Sequence, residues 1–195
     1  MSALDVAWYC AACALLVADL RAERQLAPYM ATLILTSFAI EFEPAVNLDY
    51  VLRCAPLVAL VFVLASRVGW TRPVKAAACV AALGVLFAGW GMLFAGPEGA
   101  PNRFTALFLP QVLVALFTYH AYVPAVRAHT ARPRMVDVSL LAFAALDFAV
   151  GLAGLVQIHL ADLQLWEFWP ALSILTAVMF LALAMGYEWR RCSTR

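Results

Sequence analysis

Four stretches of the chain, 73–95, 104–124, 135–159 and 165–187, run for more than twenty residues with at most two Asp, Glu, Lys or Arg each. A helix that crosses the hydrocarbon of a bilayer needs about 20 such residues, within a range of about 17–25. Three shorter apolar stretches precede them, at 4–20, 26–40 and 50–66. The composition agrees. Of the 195 residues, 66% are hydrophobic and 13% charged, against about 45–50% apolar and about 25% charged in soluble domains. The runs are continuous rather than alternating, which excludes membrane strands. The expected fold is an all-α integral membrane protein, a compact bundle of seven transmembrane helices forming one polytopic domain.

The 13 basic and 12 acidic residues nearly cancel, so their placement carries the information. Arg21 and Arg24 follow the first stretch, and Arg67, Arg72 and Lys75 the third. Arg127, Arg132 and Arg134 follow the fifth, and Arg190, Arg191 and Arg195 the seventh. Only Arg53 and Arg103 fall elsewhere. Cytoplasmic loops carry excess Lys and Arg. Seven spans, with the N-terminus outside and the C-terminus inside, put all the basic clusters on one face; six would not. The plasma membrane, in a bacterium the inner membrane, is the expected location. Residues 1–5 lack the basic start of a cleaved leader.

The punctuation fits this scheme. Pro28, Pro73 and Pro133 fall at expected helix starts, where a missing N–H is tolerated. Trp8, Tyr9, Tyr50, Trp166 and Trp169 mark the outer boundary, and Trp70, Tyr122, Tyr187 and Trp189 the inner one, as interfacial anchoring requires. Five cysteines, Cys10, Cys13, Cys54, Cys79 and Cys192, are odd in number and suit no disulfide framework. They are expected as small, buried, reduced side chains.

Small residues recur on two segments. Ala77, Ala81, Gly84, Ala88, Gly91 and Ala95 are spaced by four and three in turn, and Ala7, Ala11, Ala14 and Ala18 repeat the pattern. Small residues let helices approach closely in lipid, where hydrophobicity does not drive association. The two seams are expected to pack against each other or against another subunit or copy. The expected partners are thus the bilayer and other membrane chains; the near-neutral charge excludes nucleic acid.

Asp147 is the sharpest candidate for chemistry. It lies mid-way along 135–159, where an aspartate costs about 2.5–3.5 kcal/mol to insert. Such a residue faces the bundle interior or a wet cavity. Ala144, Gly151 and Gly154 share its helical face. Thr32, Thr36, Ser173 and Thr176 are its candidate partners, and Gln111 and Tyr119 are expected to line the same interior. It serves a proton or cation relay, anchors a polar ligand, or makes a structural hydrogen bond between helices. An outer acidic group, Glu41, Glu43, Asp49, Asp162 and Glu167, lies near His159 and Arg53. Solvated loop charges are its commoner explanation, ahead of metal binding or cation attraction, with Arg53 paired to a carboxylate.

No cofactor or metal centre is expected. Cys10 and Cys13 form a C-x-x-C inside a helix with no second pair. His120, His129 and His159 do not converge as haem ligands would. Lys75 is the only lysine and lies at a helix start, not in the last helix where a retinal Schiff base would need one. H-E-x-x-H, G-x-S-x-G and P-loop motifs are absent. Three functional readings remain. The chain is a small proton- or cation-linked transporter or channel using Asp147, with Gln111, Thr36 and Thr176 as companions. Alternatively it is a non-catalytic subunit of a larger membrane complex. The third is an intramembrane lipid enzyme, which needs a second catalytic group near Asp147 or the outer carboxylates.

Overall fold

The computed structural model describes residues 2–42, 48–94, 100–129, 134–159 and 168–193. These form seven helices: α1 (Ala3–Ala22), α2 (Ala27–Phe42), α3 (Leu48–Val68), α4 (Arg72–Phe94), α5 (Ala100–His129), α6 (Met135–His159) and α7 (Phe168–Ser193). There is no strand among the described residues. Each helix coincides with one apolar stretch. The largest difference is α5, which runs 30 residues and passes through both Pro110 and Pro124. Among the described residues, three helices, α1, α6 and α7, are long and apolar enough to cross a membrane, and α2 is a shorter apolar helix.

The caps show why the helices start and stop where they do. Ser2 and Asp5 form a reciprocal capping box at the start of α1, satisfying two of its orphan N–H groups. At its end, the amides of Glu23 and Arg24 both donate to the carbonyl of Asp19, and Arg24 takes a left-handed φ of 58°. The Asp19 side chain then accepts from the Leu26 amide at 3.0 Å, so one residue closes α1 and opens α2. Gly69, at φ 73°, ends α3. Its amide donates to Ala65, the left-handed stop that glycine adopts without strain.

Every helix packs on its neighbours in sequence, α7 returns to α1, and α3 also reaches α5. The core runs through Leu15, Leu26, Met30, Leu60, Leu64, Leu140, Phe143 and Phe180, all sealed. Tyr29 and Phe180 both pack on the Phe143 ring, with centroids 4.8 and 5.9 Å away. Large apolar side chains also cover the outside. Leu35, Leu86 and Met185 are each about two-thirds exposed. Water does not tolerate so continuous an apolar surface on a monomer, whereas hydrocarbon does.

The expected pairing of the two small-residue seams is not found. α1 and α4 are not packing neighbours. Ala77, Ala81 and Gly84 are buried within the chain itself. A Cβ on Gly84 would come within 2.9 Å of Pro110 on α5 and 3.9 Å of Cys54 on α3. Ala88 and Gly91 lie on α4, but their side chains, and Ala95, fall outside the described residues. On α1 the buried stripe is Ala11, Ala12, Leu15, Ala18 and Asp19, while Ala7 and Ala14 face outward. The reason is geometric. A spacing of 3.5 drifts round a straight helix of 3.6 residues per turn, and Leu15 and Asp19 take the inward direction. The cysteines depart from expectation too. Only Cys54 is buried; the other four are exposed and unpaired.

The tightest helix contact is α5 on α6. A Cβ on Gly151 would lie 2.9 Å from the Phe108 carbonyl and 3.1 Å from the Val112 amide, and one on Gly154 2.5 Å from the Phe108 ring. Backbone meets backbone at Gly151, so a side chain there must separate the helices. Gly151→Leu should lower the unfolding free energy by roughly 3 kcal/mol, the upper range of overpacking. Ala145→Leu, on the exposed side of α6, should leave it unchanged. Thermal melts of the two detergent-solubilised variants test this.

Candidate functional site

The candidate residues drawn from the sequence lie at mid-depth and in the loops away from the basic clusters. The densest polar cluster lies instead at the end of the bundle where the basic residues gather. Asp137 is its centre. Its Oδ2 accepts the Arg134 amide at 2.9 Å, the N3-to-N-cap half of a capping box. Its Oδ1 accepts from Arg67 Nη2 at 2.7 Å and from the Tyr122 hydroxyl. One carboxylate thus ties the start of α6 to the end of α3 and to α5. Asp137 is 5% exposed and Tyr122 2%, so this is a buried, charge-assisted network rather than a surface ion pair.

A second part adjoins it. Asp19 on α1 and Ser139 on α6 are fully sealed, and Tyr187 on α7 nearly so. The Tyr187 hydroxyl sits beside both Asp19 and Ser139. None of Asp19 Oδ1, Ser139 Oγ and Tyr187 Oη makes a well-aligned hydrogen bond. Glu23, at the end of α1, feels Arg67, Arg134, Asp137 and Asp19 together. Its carboxyl titrates above the usual range because burial outweighs the two guanidinium groups. Tyr122 and Tyr187 were expected as interfacial anchors; they are buried members of this network. Trp70 and Trp189 are exposed.

Ten residues further along α6 lies Asp147, about 15 Å from Asp137 at 1.5 Å per residue. Its Oδ2 is buried and accepts no hydrogen bond. Tyr29, fully packed on α2, lies within its electrostatic reach. The expected hydroxyl partners are occupied by their own helices. Thr32 donates to Pro28, Thr36 to Thr32, Ser173 to Trp169 and Thr176 to Leu172. Backbone carbonyls four residues back are the nearest acceptors for a helical Ser or Thr. On α5, Gln111 Oε1 and Thr118 Oγ1 are likewise buried without a hydrogen bond. Tyr119 points outward, 59% exposed, and is not part of the interior.

At the opposite end a pocket of about 290 Å³ opens between α1, α2, α3 and α7. Asp5, Glu41 and Arg53 line it with Trp8, Tyr9, Ser37 and Ser173. The structure therefore brings Glu41 and Arg53 together, with Asp5 as an acid the sequence reading had not included. Glu43, Asp162 and Glu167 lie outside the described residues, as do the side chains of Asp49 and His159. At the same end, Trp169 donates to Gln157 at 2.9 Å and stacks on Phe108, fastening α7 to α6 and α5. Among the described residues no group of His, Cys, Asp and Glu is placed to hold a metal ion.

The chain matches no protein-family model, no curated protein and no solved structure. Any assignment therefore rests on the geometry of the site.

Two measurements test the basic-end network. Arg67→Met leaves Asp137 buried beside only a tyrosine and an amide. It should destabilise by roughly 3 kcal/mol, as loss of one partner of a buried pair does. Adding Asp137→Asn should restore much of that loss, because the uncompensated charge is gone. Glu23 predicts a pH signature. Its carboxyl is raised in the fold, so the folded state favours the protonated form. The burial penalty is full above the folded pKa and vanishes below the unfolded value of 4.5. Glu23→Gln should raise the melting temperature at pH 8, and the gain should shrink to nothing towards pH 4.5.

Proposed function

We propose that all seven helices span the plasma membrane, with the N-terminus outside and the basic face in the cytoplasm, and that the chain is a small proton- or cation-linked transporter or channel. Polar groups stand at three levels of an otherwise apolar bundle. The pocket with Asp5, Glu41 and Arg53 is the outer entrance. Asp147, with Gln111 and Thr118 nearby in depth, is the midplane station. The network of Asp137, Arg67, Tyr122, Asp19 and Tyr187 is the inner one.

The observation that carries this reading is the Asp147 carboxylate oxygen. Asp147 Oδ2 is buried without a hydrogen bond, on a half-buried residue between two polar clusters at opposite ends. A structural aspartate is held by donors; a carrier of protons or cations keeps an acceptor free to take its cargo. Transport sites lie near the midplane, the level at which α5 and α6 approach closely, at Gly151. The Thr36 and Thr176 hydroxyls are engaged with the carbonyls of Thr32 and Leu172 and are not direct ligands. The accessory-subunit reading loses the described half of its α4 seam, since Ala77, Ala81 and Gly84 pack inside the chain.

The test is flux in reconstituted vesicles carrying an internal pH dye, under a proton gradient and then under Na⁺ and K⁺ gradients. The wild type should dissipate at least one gradient, and Asp147→Asn should reduce that flux at least about tenfold with an unchanged melting temperature. Equal flux in both proteins, or none above protein-free vesicles for any ion, would overturn the reading.

A further inference from the structure

Two contacts fix how α5 and α6 lie along each other. Tyr122 donates to Asp137 at the basic end, and Gly151 lies against Phe108 and Val112 further in. Numbers rise along α6 as they fall along α5, so the helices are antiparallel. Their inward faces are regular. On α6, Asp137, Leu140, Ala144, Asp147 and Gly151 follow at spacings of three and four, and Asp137, Leu140 and Ala144 are buried. On α5, Gln111, Ala115, Thr118 and Tyr122 do the same, and the last three are buried. Gln111, Thr118 and Tyr122 fall within about 40° of one another round α5. This face therefore carries a line of polar side chains that ends on Asp137.

Thr118 is the unusual member. It is completely sealed, and its hydroxyl has no hydrogen-bond partner. Thr32, Thr36 and Thr176 each donate to a carbonyl of their own helix, the common state of a helical threonine. Thr118 keeps both its proton and its lone pairs available. Measured from the Tyr122–Asp137 contact, Thr118 lies four residues along α5 and Asp147 ten along α6, about 6 and 15 Å deep. Each Cα–Cβ bond leans towards the N-terminus of its own helix, so on antiparallel helices Thr118 and Asp147 lean towards each other.

The buried side chains that the two helices place between Thr118 and Asp147 in depth are Val114, Ala115, Phe143 and Ala144, all apolar. A hard metal cation that leaves water takes about six oxygen ligands, whereas a proton needs one lone pair at each step. Buried ionisable residues inside membranes serve as proton relays. We infer, resting on the transport reading above, that the ion is the proton and that Thr118 is the hydroxyl that passes it from Asp147 to Tyr122 and Asp137. The transfers balance. The Asp147 carboxyl gives up its proton, through bridging water, to a lone pair of Thr118. Thr118 releases its own proton to the Tyr122 oxygen, and Tyr122 releases its own to the Asp137 carboxylate it already touches. Each hydroxyl ends with one proton, and only O–H bonds form and break.

The full chain in vesicles with an internal pH dye tests this, with K⁺ on both sides and valinomycin to carry the balancing charge. An inward proton gradient alone, without Na⁺, should acidify the lumen. Thr118→Val should cut that flux at least about tenfold. Its melting temperature should hold or rise, since the hydroxyl removed had no partner. Thr118→Ser should keep most of the flux. A packing role alone would reverse that order, because valine preserves the shape and serine does not. Tyr122→Phe, which removes the next hydroxyl, should cut the flux as Thr118→Val does. Wild-type flux in Thr118→Val, with Asp147→Asn blocked, would take Thr118 out of the path and leave the transport reading standing. Flux that needs an imposed Na⁺ or K⁺ gradient, without valinomycin, would overturn the proton assignment and again leave that reading. Equal flux in the wild type and Asp147→Asn, or none in the wild type for any ion, would end both.

Discussion

The Asp137 carboxylate decides how one half of this molecule is assembled. It lies in the first turn of α6, where an acid favours the helix dipole and closes the N-cap. Its second oxygen is then directed across the bundle, to Arg67 and Tyr122. Three helices that touch mainly through apolar surface thereby acquire one fixed register. In lipid this matters more than in water, because apolar contact between helices has no hydrophobic driving force to prefer one arrangement over another. Asp19 does the same work on the other side, joining α1 to the start of α2 and standing beside Tyr187 of α7. Every helix but α4 contributes a backbone or side-chain group to this end.

The middle of the bundle is held differently. Close approach replaces charge. Gly151 and Gly154 let α6 settle onto the α5 backbone, and Gly84 lets α4 settle onto Pro110. Proline has no N–H to give the helix, so at Pro110 the ring stands where a regular ladder would be. A neighbour without a side chain accommodates it. Asp147, one turn from Gly151, keeps one buried carboxylate oxygen without a hydrogen bond.

The seven helices were legible because apolar run length and basic loops are additive signals that survive without any alignment. Asp147 stood out because it interrupts a long apolar run. Asp137 and Asp19 did not, although both are closer to the centre of the polar architecture. Each sits within a few residues of a loop, where an acid reads as solvated. Their significance depends on Arg67, Tyr122 and Tyr187, which lie 70, 15 and 168 positions away, and no periodicity joins residues across such separations. The first-turn position of Asp137 three residues after Arg134 was the available signal. Tyr122 and Tyr187 were misread for the complementary reason: near a helix end, a tyrosine that anchors and one that is buried have the same sequence context. The seam on α4 was found, but its partner was not, because small residues specify that something comes close and not which helix does.

The two ends of the bundle differ in kind, and this asymmetry bears on direction. The end away from the basic residues holds a pocket with two acids and an arginine on its walls. The basic end is tied by the hydrogen bonds of Asp137 among largely buried groups. On the proposed reading, a species arriving at Asp147 from outside meets an unbonded carboxylate oxygen. To leave inward it must pass a network whose members are held by Asp137. Passage then requires Arg67 or Tyr122 to release that carboxylate, which is a discrete change between two hydrogen-bonded arrangements and not a gradual widening. On the proposed reading, Asp137 is therefore the barrier and Asp147 the binding station. The ring closed by α1 and α7 is the place where such a change can be accommodated, since α7 bears on α6 less extensively than α5 does.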